Sequence, residues 1–484
     1  MRPSTRTTDR KTPQKVSTRT LVGIVVGSMV GGGVFTLPRS FGTATGVLGA
    51  IIAWIIAGTG MLMLAFVFQS LAVRRPDLDS GVYIYAKTGF GNFAGFNAGF
   101  GYWASNVAGN VFFLVFTMTT LGTFFPGLGE GNTLLAVGLA SACVWVFHYL
   151  IARGVRQAAA VNWIVTVAKL VPILVFIIVV GFAFDPQTFA ANFWGGETRS
   201  VKSLFDQVKD TMLVTTFVFL GVEGASVYSR FARRREDVGR ATLLGFLSVL
   251  AIFASVTMVS YGVLPREDLA NTHPPSMAAV LESVVGSWGA PFISIGVIIS
   301  VQGAYLAWTL INAEVLYVPA TTAVMPKFLA RNNKNHTPIA ALITTSLAVQ
   351  ALLLTVLFVR DALDFMLALD TALSLVPYLF AAGYALKLTI TRETYTSTDE
   401  SERRTQQIIA AAAVLYAIFL LYAAGLKYLL VACIVYAPGT LLYIWARREQ
   451  GRRVFQPAEA VMCVGLVVAA TVGIVLISTG YLTL

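Results

Sequence analysis

The chain has 484 residues, of which 56% are hydrophobic and 12% are charged, and its formal net charge is +11. Its mean hydropathy is +0.73, and a soluble domain carries roughly twice this share of charged residues. This composition excludes a soluble globular protein, because apolar stretches long enough to cross a bilayer recur from Leu21 to the end of the sequence.

Thirteen membrane-spanning helices are predicted, so the expected fold class is an all-α polytopic membrane protein. The predicted spans are residues 20–43, 47–73, 93–125, 133–152, 161–184, 211–230, 241–264, 288–321, 339–359, 363–390, 406–425, 427–446 and 457–481. The residues before the first span are polar and basic, so no cleavable signal peptide is expected. Cys143, Cys433 and Cys463 lie in apolar stretches, which predicts neither a disulfide framework nor a metal site. No cofactor is expected.

The basic residues are distributed unevenly between the two sides of the predicted bundle. Of the 35 Lys and Arg residues, 27 fall in the N-terminal tail and in every second loop. Basic loops mark the cytoplasmic side of a membrane, so the N-terminus is predicted to be cytoplasmic and the C-terminus external. The positive charge therefore indicates orientation and contact with anionic lipid in a bacterial cell membrane, and no nucleic acid is expected as a partner.

The spans divide the chain into four segments. Residues 1–19 form a cytoplasmic basic tail, 20–184 a first five-helix repeat, 211–390 a second five-helix repeat, and 406–481 additional C-terminal spans. The loops between them are short, which leaves no room for a soluble domain. The oligomeric state is open, and a homodimer is one hypothesis.

Glycine-rich stretches interrupt the first span of each repeat. Span 1 contains the run Gly27–Phe35 with three consecutive glycines, and span 6 contains Gly221–Ser226. Such glycines can serve close helix packing. Interruptions at matching positions of two repeats favour broken helices around a transport site. The pattern predicts a secondary transporter with a five-plus-five inverted-repeat fold.

The two breaks offer opposite partial charges. A half-helix that starts at Gly31–Gly33 presents free N–H groups, which suit a carboxylate. The carbonyl groups near Phe217 and Leu220 in span 6 suit an ammonium group. An anion site beside a cation site indicates a zwitterion such as an amino acid.

Four ionisable residues lie clearly inside predicted spans: Lys169, Glu223, Glu314 and Asp370. Such residues are costly in a bilayer and often functional, although each could instead be an interfacial or internally paired charge. Three of the four are acidic, which favours a cationic substrate or proton coupling. Trp308 could stack on a cationic side chain, or it could serve packing.

Ordered motifs over spans 1 to 10 resemble the amino acid–polyamine–organocation superfamily, and within it the basic amino acid/polyamine antiporter branch with its bacterial arginine/ornithine antiporters and lysine permeases. The matching motifs are Gly27-Ser28-Met29-Val30-Gly31-Gly32-Gly33-Val34-Phe35, Gly101-Tyr102-Trp103 with Gly109-Asn110, Phe219-Leu220-Gly221-Val222-Glu223, Trp308-Thr309-Leu310 and Leu375-Val376-Pro377-Tyr378. The resemblance implies an inverted-repeat fold, with substrate bound where spans 1, 3, 6, 8 and 10 cross.

The resemblance also implies roles for particular residues. The substrate carboxylate would be held by Gly31, Gly32 and Gly33, and its α-ammonium by the carbonyls of Met29, Phe217 and Leu220. Its side chain would meet Trp308, Ser105, Asn106 and Asn110. Gating or proton coupling would involve Tyr102, Lys169, Glu223 and Glu314.

This sequence departs from the branch at several positions. Gly32 stands where arginine/agmatine exchangers usually have serine, and Phe217 where they tend to have tryptophan. Asp370 lies where relatives often carry a neutral hydroxyl, so it is predicted to bind the cationic end of the substrate. Lys169 falls where some relatives have a lysine that replaces a sodium ion, so sodium coupling is not expected. The thirteenth span exceeds the usual twelve.

The function predicted from these features is alternating-access transport of cationic amino acids, most simply exchange of arginine for ornithine. The alternative in the same class is a lysine permease coupled to protons or to the membrane potential. A channel would need a continuous polar pore lining, and a membrane enzyme would need paired catalytic groups. The sequence indicates neither feature. No nucleotide-binding glycine–lysine motif is evident, which argues against a built-in ATPase.

Overall fold

The computed structural model describes residues 18–78, 82–154, 158–196, 200–223, 235–322 and 324–482. Its α-helices, numbered along the chain, are α1 (Thr18–Met29), α2 (Leu37–Ala44), α3 (Val47–Arg74), α4 (Val82–Phe90), α5 (Asn92–Gly122), α6 (Leu134–Ala152), α7 (Ala158–Phe182), α8 (Pro186–Ala191), α9 (Val201–Val218), α10 (Arg235–Tyr261), α11 (Arg266–Ala270), α12 (Ser276–Val285), α13 (Gly289–Thr321), α14 (Ile339–Thr355), α15 (Ala362–Thr391), α16 (Glu400–Glu449) and α17 (Pro457–Ser478).

The all-helical membrane fold predicted from the sequence is confirmed. Nine helices of the described ranges are long and apolar enough to cross a bilayer. The 50-residue α16 bends at Gly425, where the backbone adopts φ 71° and ψ 168°, so this helix supplies two spans. Span 1 consists of α1 and α2, while α7 and α9 fall on the predicted spans 5 and 6. Each of the thirteen predicted spans therefore has a helix.

Helix α9 extends beyond the predicted start of span 6. The prediction began at residue 211, but α9 begins at Val201, where the N-cap hydroxyl of Ser200 accepts a hydrogen bond from the Ser203 amide. Charged residues such as Lys202 and Asp206 occupy these extra turns. They are helical but not apolar, so hydropathy alone placed them in a loop.

The centre of the bundle is α5, which is buried along almost its whole length. It packs most extensively against α15 and α13. The side-chain nitrogen of Asn110 donates to Thr309 Oγ1 (3.2 Å), and that of Gln302 donates to Thr117 Oγ1 (2.8 Å). Because the partner numbers fall on α13 as they rise on α5, the two helices are antiparallel. Their shared face carries polar groups through an apolar core.

Ion pairs connect helices at the end of the bundle that carries the basic loops, called the basic-loop end. The Arg75 guanidinium, just after α3, donates to Asp77, to Glu393 and to the hydroxyl of Tyr384 on α15. The same guanidinium lowers the pKa of the Asp77 carboxyl below its usual value, mainly through their hydrogen bond. This cluster joins the end of span 2 to the end of span 10.

Candidate substrate site

Span 1 is broken at its glycine run. Helix α1 ends at Met29, a 3-10 turn covers Gly33–Thr36, and α2 follows. The backbone N–H groups of Gly31 and Gly32 make no backbone hydrogen bond to any described residue. The last carbonyl groups of α1 lack helical partners because the helix stops there. The break therefore presents donors and acceptors within a few residues of each other.

Neighbouring side chains occupy the space beside these glycines. A Cβ atom on Gly32 would lie 2.8 Å from Val301 Cγ1, and one on Gly33 would lie 2.8 Å from a ring carbon of Phe217. Both distances are too short for carbon atoms in van der Waals contact. Val301 thus gives a physical reason for glycine rather than serine at position 32 of this chain.

Span 6 breaks directly beside span 1. Helix α9 ends at Val218, and turns continue through Glu223. Gly221 has a φ of +101°, and a Cβ there would lie 2.7 Å from the carbonyl oxygen of Ser28. The Ser28 hydroxyl donates to the Gly221 carbonyl (3.2 Å). The rest of the predicted second break, including Gly224 and Ser226, lies outside the described residues.

A pocket opens where the two breaks meet α5, α13 and α15. It is lined by Ser28, Met29, Gly31, Gly32, Gly33, Val34, Asn106, Gly109, Phe113, Phe217, Val218, Leu220, Trp308 and Asp370. The C-terminal ends of α1 and α9 both contribute to this lining. Because a helix C-terminus carries partial negative charge, the pocket has a side suited to an ammonium group. The free N–H groups of Gly31 and Gly32 supply a side suited to a carboxylate.

Asp370 supplies the carboxylate of this pocket. It is buried on α15, and its Oδ1 atom accepts a hydrogen bond from the Ser105 hydroxyl on α5 (2.6 Å). Its Oδ2 atom lies against Gly109, where a Cβ would be only 2.5 Å away. None of the ion pairs found among the described residues includes Asp370. A buried carboxylate with a single hydroxyl donor is poorly compensated, so it suits a cation in the pocket.

The aromatic and amide groups of the pocket come from α13 and α5. Trp308 is half-buried and lines the pocket. Asn106 also lines it, and its side-chain nitrogen is buried without a hydrogen-bond partner in the described structure. Asn110 is fully buried behind the lining, where it donates to Thr309. Unpaired buried amide groups usually bind water or ligand, so Asn106 is available to a bound molecule.

Glu223 is the centre of a carboxylate–tyrosine cluster beside the pocket. Its Oε1 atom accepts from the Tyr102 hydroxyl (2.7 Å), and its Oε2 atom accepts from the Tyr378 hydroxyl (2.6 Å) and the Gly221 amide (3.1 Å). The tyrosines lie one turn beyond Asn106 on α5 and two turns beyond Asp370 on α15, toward the basic-loop end. The cluster formed by Tyr102, Glu223 and Tyr378 therefore links spans 3, 6 and 10 on that side of the pocket.

On the opposite side of the pocket, an ion pair joins span 1 to span 10. Arg39 on α2 lies 3.2 Å from Asp364 in the first turn of α15. The Arg39 amide donates to the Ser276 hydroxyl of α12, and that hydroxyl donates to the Phe35 carbonyl. These contacts connect the second half of span 1 to span 10 and to the short helix α12.

The structure brings most of the predicted site residues together, but not all of them. Ser105 touches Asp370 without lining the pocket. Lys169 is buried on α7, and Glu314 is exposed on α13; neither lines the pocket. Sequence patterns predicted neither Tyr378 as a partner of Glu223 nor Phe113 in the lining. Phe113 lies four residues after Gly109 on the same face of α5, a signal that helical spacing carries.

Comparisons with known proteins identify the family of the chain. A family model described as amino acid permease matches residues 16–440. An arginine/ornithine antiporter of Pseudomonas aeruginosa is 44% identical over 481 residues, which cover 98% of this chain and 100% of that protein. An L-lysine transport protein of Corynebacterium glutamicum is 39% identical over 488 residues, with 98% and 97% covered. An arginine/agmatine antiporter of Chlamydia abortus is 39% identical over 434 residues, or 89% of each chain.

Proposed function

Since the chain belongs to the amino acid permease family, we propose that it is a secondary transporter that exchanges cationic amino acids by alternating access. Arginine and ornithine are the first pair to test, in line with the name of a relative that is 44% identical. The observation that carries the proposal is the buried carboxylate of Asp370. It lies in a pocket that already offers free N–H groups to one end of an amino acid and helix C-termini to its ammonium group.

Each part of a cationic amino acid then has a partner. The α-carboxylate binds the amides of Gly31 and Gly32, and the α-ammonium binds carbonyl groups at the ends of α1 and α9. The side-chain cation reaches Asp370, with Trp308 beside it. Glycine at position 32 and glycine at position 109 leave space for the backbone of span 1 and the carboxylate of Asp370 to approach their partners closely.

The test is counterflow in proteoliposomes. Vesicles loaded with arginine should take up labelled ornithine, and efflux of labelled arginine should require ornithine outside. Lysine, agmatine and a neutral amino acid are compared in parallel, each in sodium and in choline salts. Absence of saturable counterflow with every cationic amino acid would refute the proposal. Loss of uptake in choline salt would refute the role of Lys169 as a substitute for sodium.

A lysine permease is the second candidate, supported by the 39% identity to an L-lysine transport protein. The same vesicles separate it from an exchanger. A permease driven by the membrane potential would release labelled lysine into medium that contains no amino acid, whereas an obligatory exchanger would not.

Substitution of Trp308 by leucine should impair transport of long cationic substrates more than that of neutral ones. A cation over a desolvated indole gains about 2 kcal/mol, so the apparent KM for arginine should rise up to roughly 30-fold. Trp308→Phe retains an aromatic face and is the matched control, with a smaller effect. Unchanged arginine transport in the leucine variant would show that Trp308 serves packing alone.

The orientation and assembly of the transporter are further parts of the proposal. The basic loops support an orientation with the N-terminus and the carboxylate–tyrosine cluster on the cytoplasmic side of a bacterial cell membrane. The homodimer remains a prediction, for which cross-linking in the membrane is the direct experiment.

A further inference from the structure

Helix α17 is peripheral, yet it buries an acidic residue. Of its 22 residues only Glu459, Ala470 and Gly473 are buried, and most of its apolar side chains face outward. A carboxylate buried on a helix that is otherwise exposed to lipid needs partners that offset the cost of burial. Glu459 lies in the first turn of α17, at the basic-loop end of the bundle.

The partners of Glu459 belong to three helices. Its Oε1 atom accepts a hydrogen bond from the Phe93 amide in the first turn of α5 (3.0 Å). Its Oε2 atom accepts from the Gln456 amide at the start of α17 (2.9 Å) and from the Tyr443 hydroxyl of α16 (3.4 Å). One carboxylate therefore caps the N-termini of both α5 and α17.

Helix α5 has no side-chain cap of its own. Its N-cap residue is Gly91, which has no side chain, so one of the free amides of the first turn takes its acceptor from α17. A carboxylate at this position also interacts favourably with the positive end of the helix dipole. Aromatic rings pack around the contact, with Phe93 at 5.1 Å from Tyr443 and 5.6 Å from Phe455, measured between ring centroids.

The capped helix is the one that carries much of the substrate site. Tyr102 and Asn106 follow Phe93 by nine and thirteen residues, which is about 14 and 20 Å along the helix axis. Two hydrogen bonds from α5 depend on its exact height and rotation, those of Ser105 to Asp370 (2.6 Å) and of Tyr102 to Glu223 (2.7 Å). A small shift of α5 would change the lengths of both hydrogen bonds.

We propose that α17 fastens α5 and that Glu459 is a positioning residue for the substrate site. By accepting the Phe93 amide, Glu459 fixes the height and rotation of α5, and so aligns Tyr102 with Glu223 and Ser105 with Asp370 and sets the position of Asn106 in the pocket lining. The effect of Glu459 on transport rests on the proposed function, whereas the cap itself can be measured without transport.

The experiment compares Glu459→Ala with Glu459→Gln in the full-length protein. Glu449→Ala is the matched control, because Glu449 also accepts a backbone amide at the basic-loop end, that of Lys327, but on α16. Hydrogen–deuterium exchange reports the amides of residues 92–96. Counterflow reports the apparent KM and the maximal rate, and a thermal melt reports folding.

We expect Glu459→Ala to expose the first-turn amides of α5 and to raise the apparent KM for arginine roughly three- to tenfold, with a smaller change in maximal rate. Glu459→Gln retains a side-chain oxygen and should recover most of the wild-type KM, while Glu449→Ala should leave it unchanged. If the alanine variant does not fold, Tyr443→Phe, which removes one donor to Glu459, carries the test through a smaller shift in the same two readouts.

Two results would overturn the inference. One is equal protection of the α5 amides in all variants; the other is a fall in protection while the KM stays at its wild-type value. If wild-type vesicles show no counterflow, the proposed function fails instead, and the exchange of the α5 amides still decides whether Glu459 is a cap.

Discussion

In the Asp370→Asn variant, we expect the apparent KM for arginine and for ornithine to rise by at least about 30-fold. Removing one member of a buried, hydrogen-bonded charge pair costs about 2–5 kcal/mol, and about 1.4 kcal/mol corresponds to a factor of ten. Asparagine has the shape of aspartate, and its side-chain oxygen can still accept from Ser105. The substitution therefore removes the charge while the contact between α5 and α15 is kept.

Neutral amino acids provide the internal comparison for Asp370→Asn. Their transport should change far less, so the selectivity for cationic over neutral substrates should fall by about the same factor. Asp361→Asn is the matched control, because it neutralises an exposed carboxylate at the start of the same helix, outside the pocket. If the variant keeps wild-type selectivity, Asp370 serves the packing of α5 and does not bind substrate.

The fold could be predicted from the sequence because residues that face the interior of a bilayer are mostly apolar, so long apolar stretches mark the spans. Apolar stretches and basic loops marked thirteen spans, and the predicted division between residues 425 and 427 falls at the bend of α16 at Gly425. Short helices such as α4 and α12 could not be predicted in this way. They are too short to cross a bilayer, and their positions depend on contacts with the spans.

The pocket could be predicted in part, because glycine breaks and isolated charges mark it along the chain. The direction in which a side chain points was harder to predict than its position along the chain. Glu314 follows Trp308 by six residues, which places the two side chains about 120° apart around α13, and Glu314 is exposed. Its gating role remains a prediction that the pocket geometry does not support.

Contacts between distant spans could not be predicted from the sequence. Tyr378 was part of a recognised motif, but nothing in one chain shows that its hydroxyl reaches Glu223, 155 residues away. The same holds for Glu459, whose acceptor role toward Phe93 joins the last span to the third. Both residues are polar groups in apolar helices, which marks them for attention without naming their partners.

Replacement of Glu223 by alanine should slow exchange by about two orders of magnitude with a much smaller loss of binding affinity. Glu223 does not line the pocket, but its carboxylate accepts from Tyr102, Tyr378 and Gly221. Each buried donor left without an acceptor costs about 1–3 kcal/mol. We expect these hydrogen bonds to stabilise a state closed on the basic-loop side. Without them that state becomes less populated, and the reorientation that passes through it slows.

The expected shift in population can be measured separately from transport. In a background without Cys143, Cys433 and Cys463, a cysteine at Asn106 in the pocket lining should react faster with an impermeant thiol reagent applied from the basic-loop side once Glu223 is alanine. Tyr378→Phe removes a single donor and leaves the carboxylate with its others, so its effects on rate and labelling should be about tenfold smaller. Unchanged labelling, or a binding loss as large as the rate loss, would mean that Glu223 holds the second break in shape rather than closing the pocket.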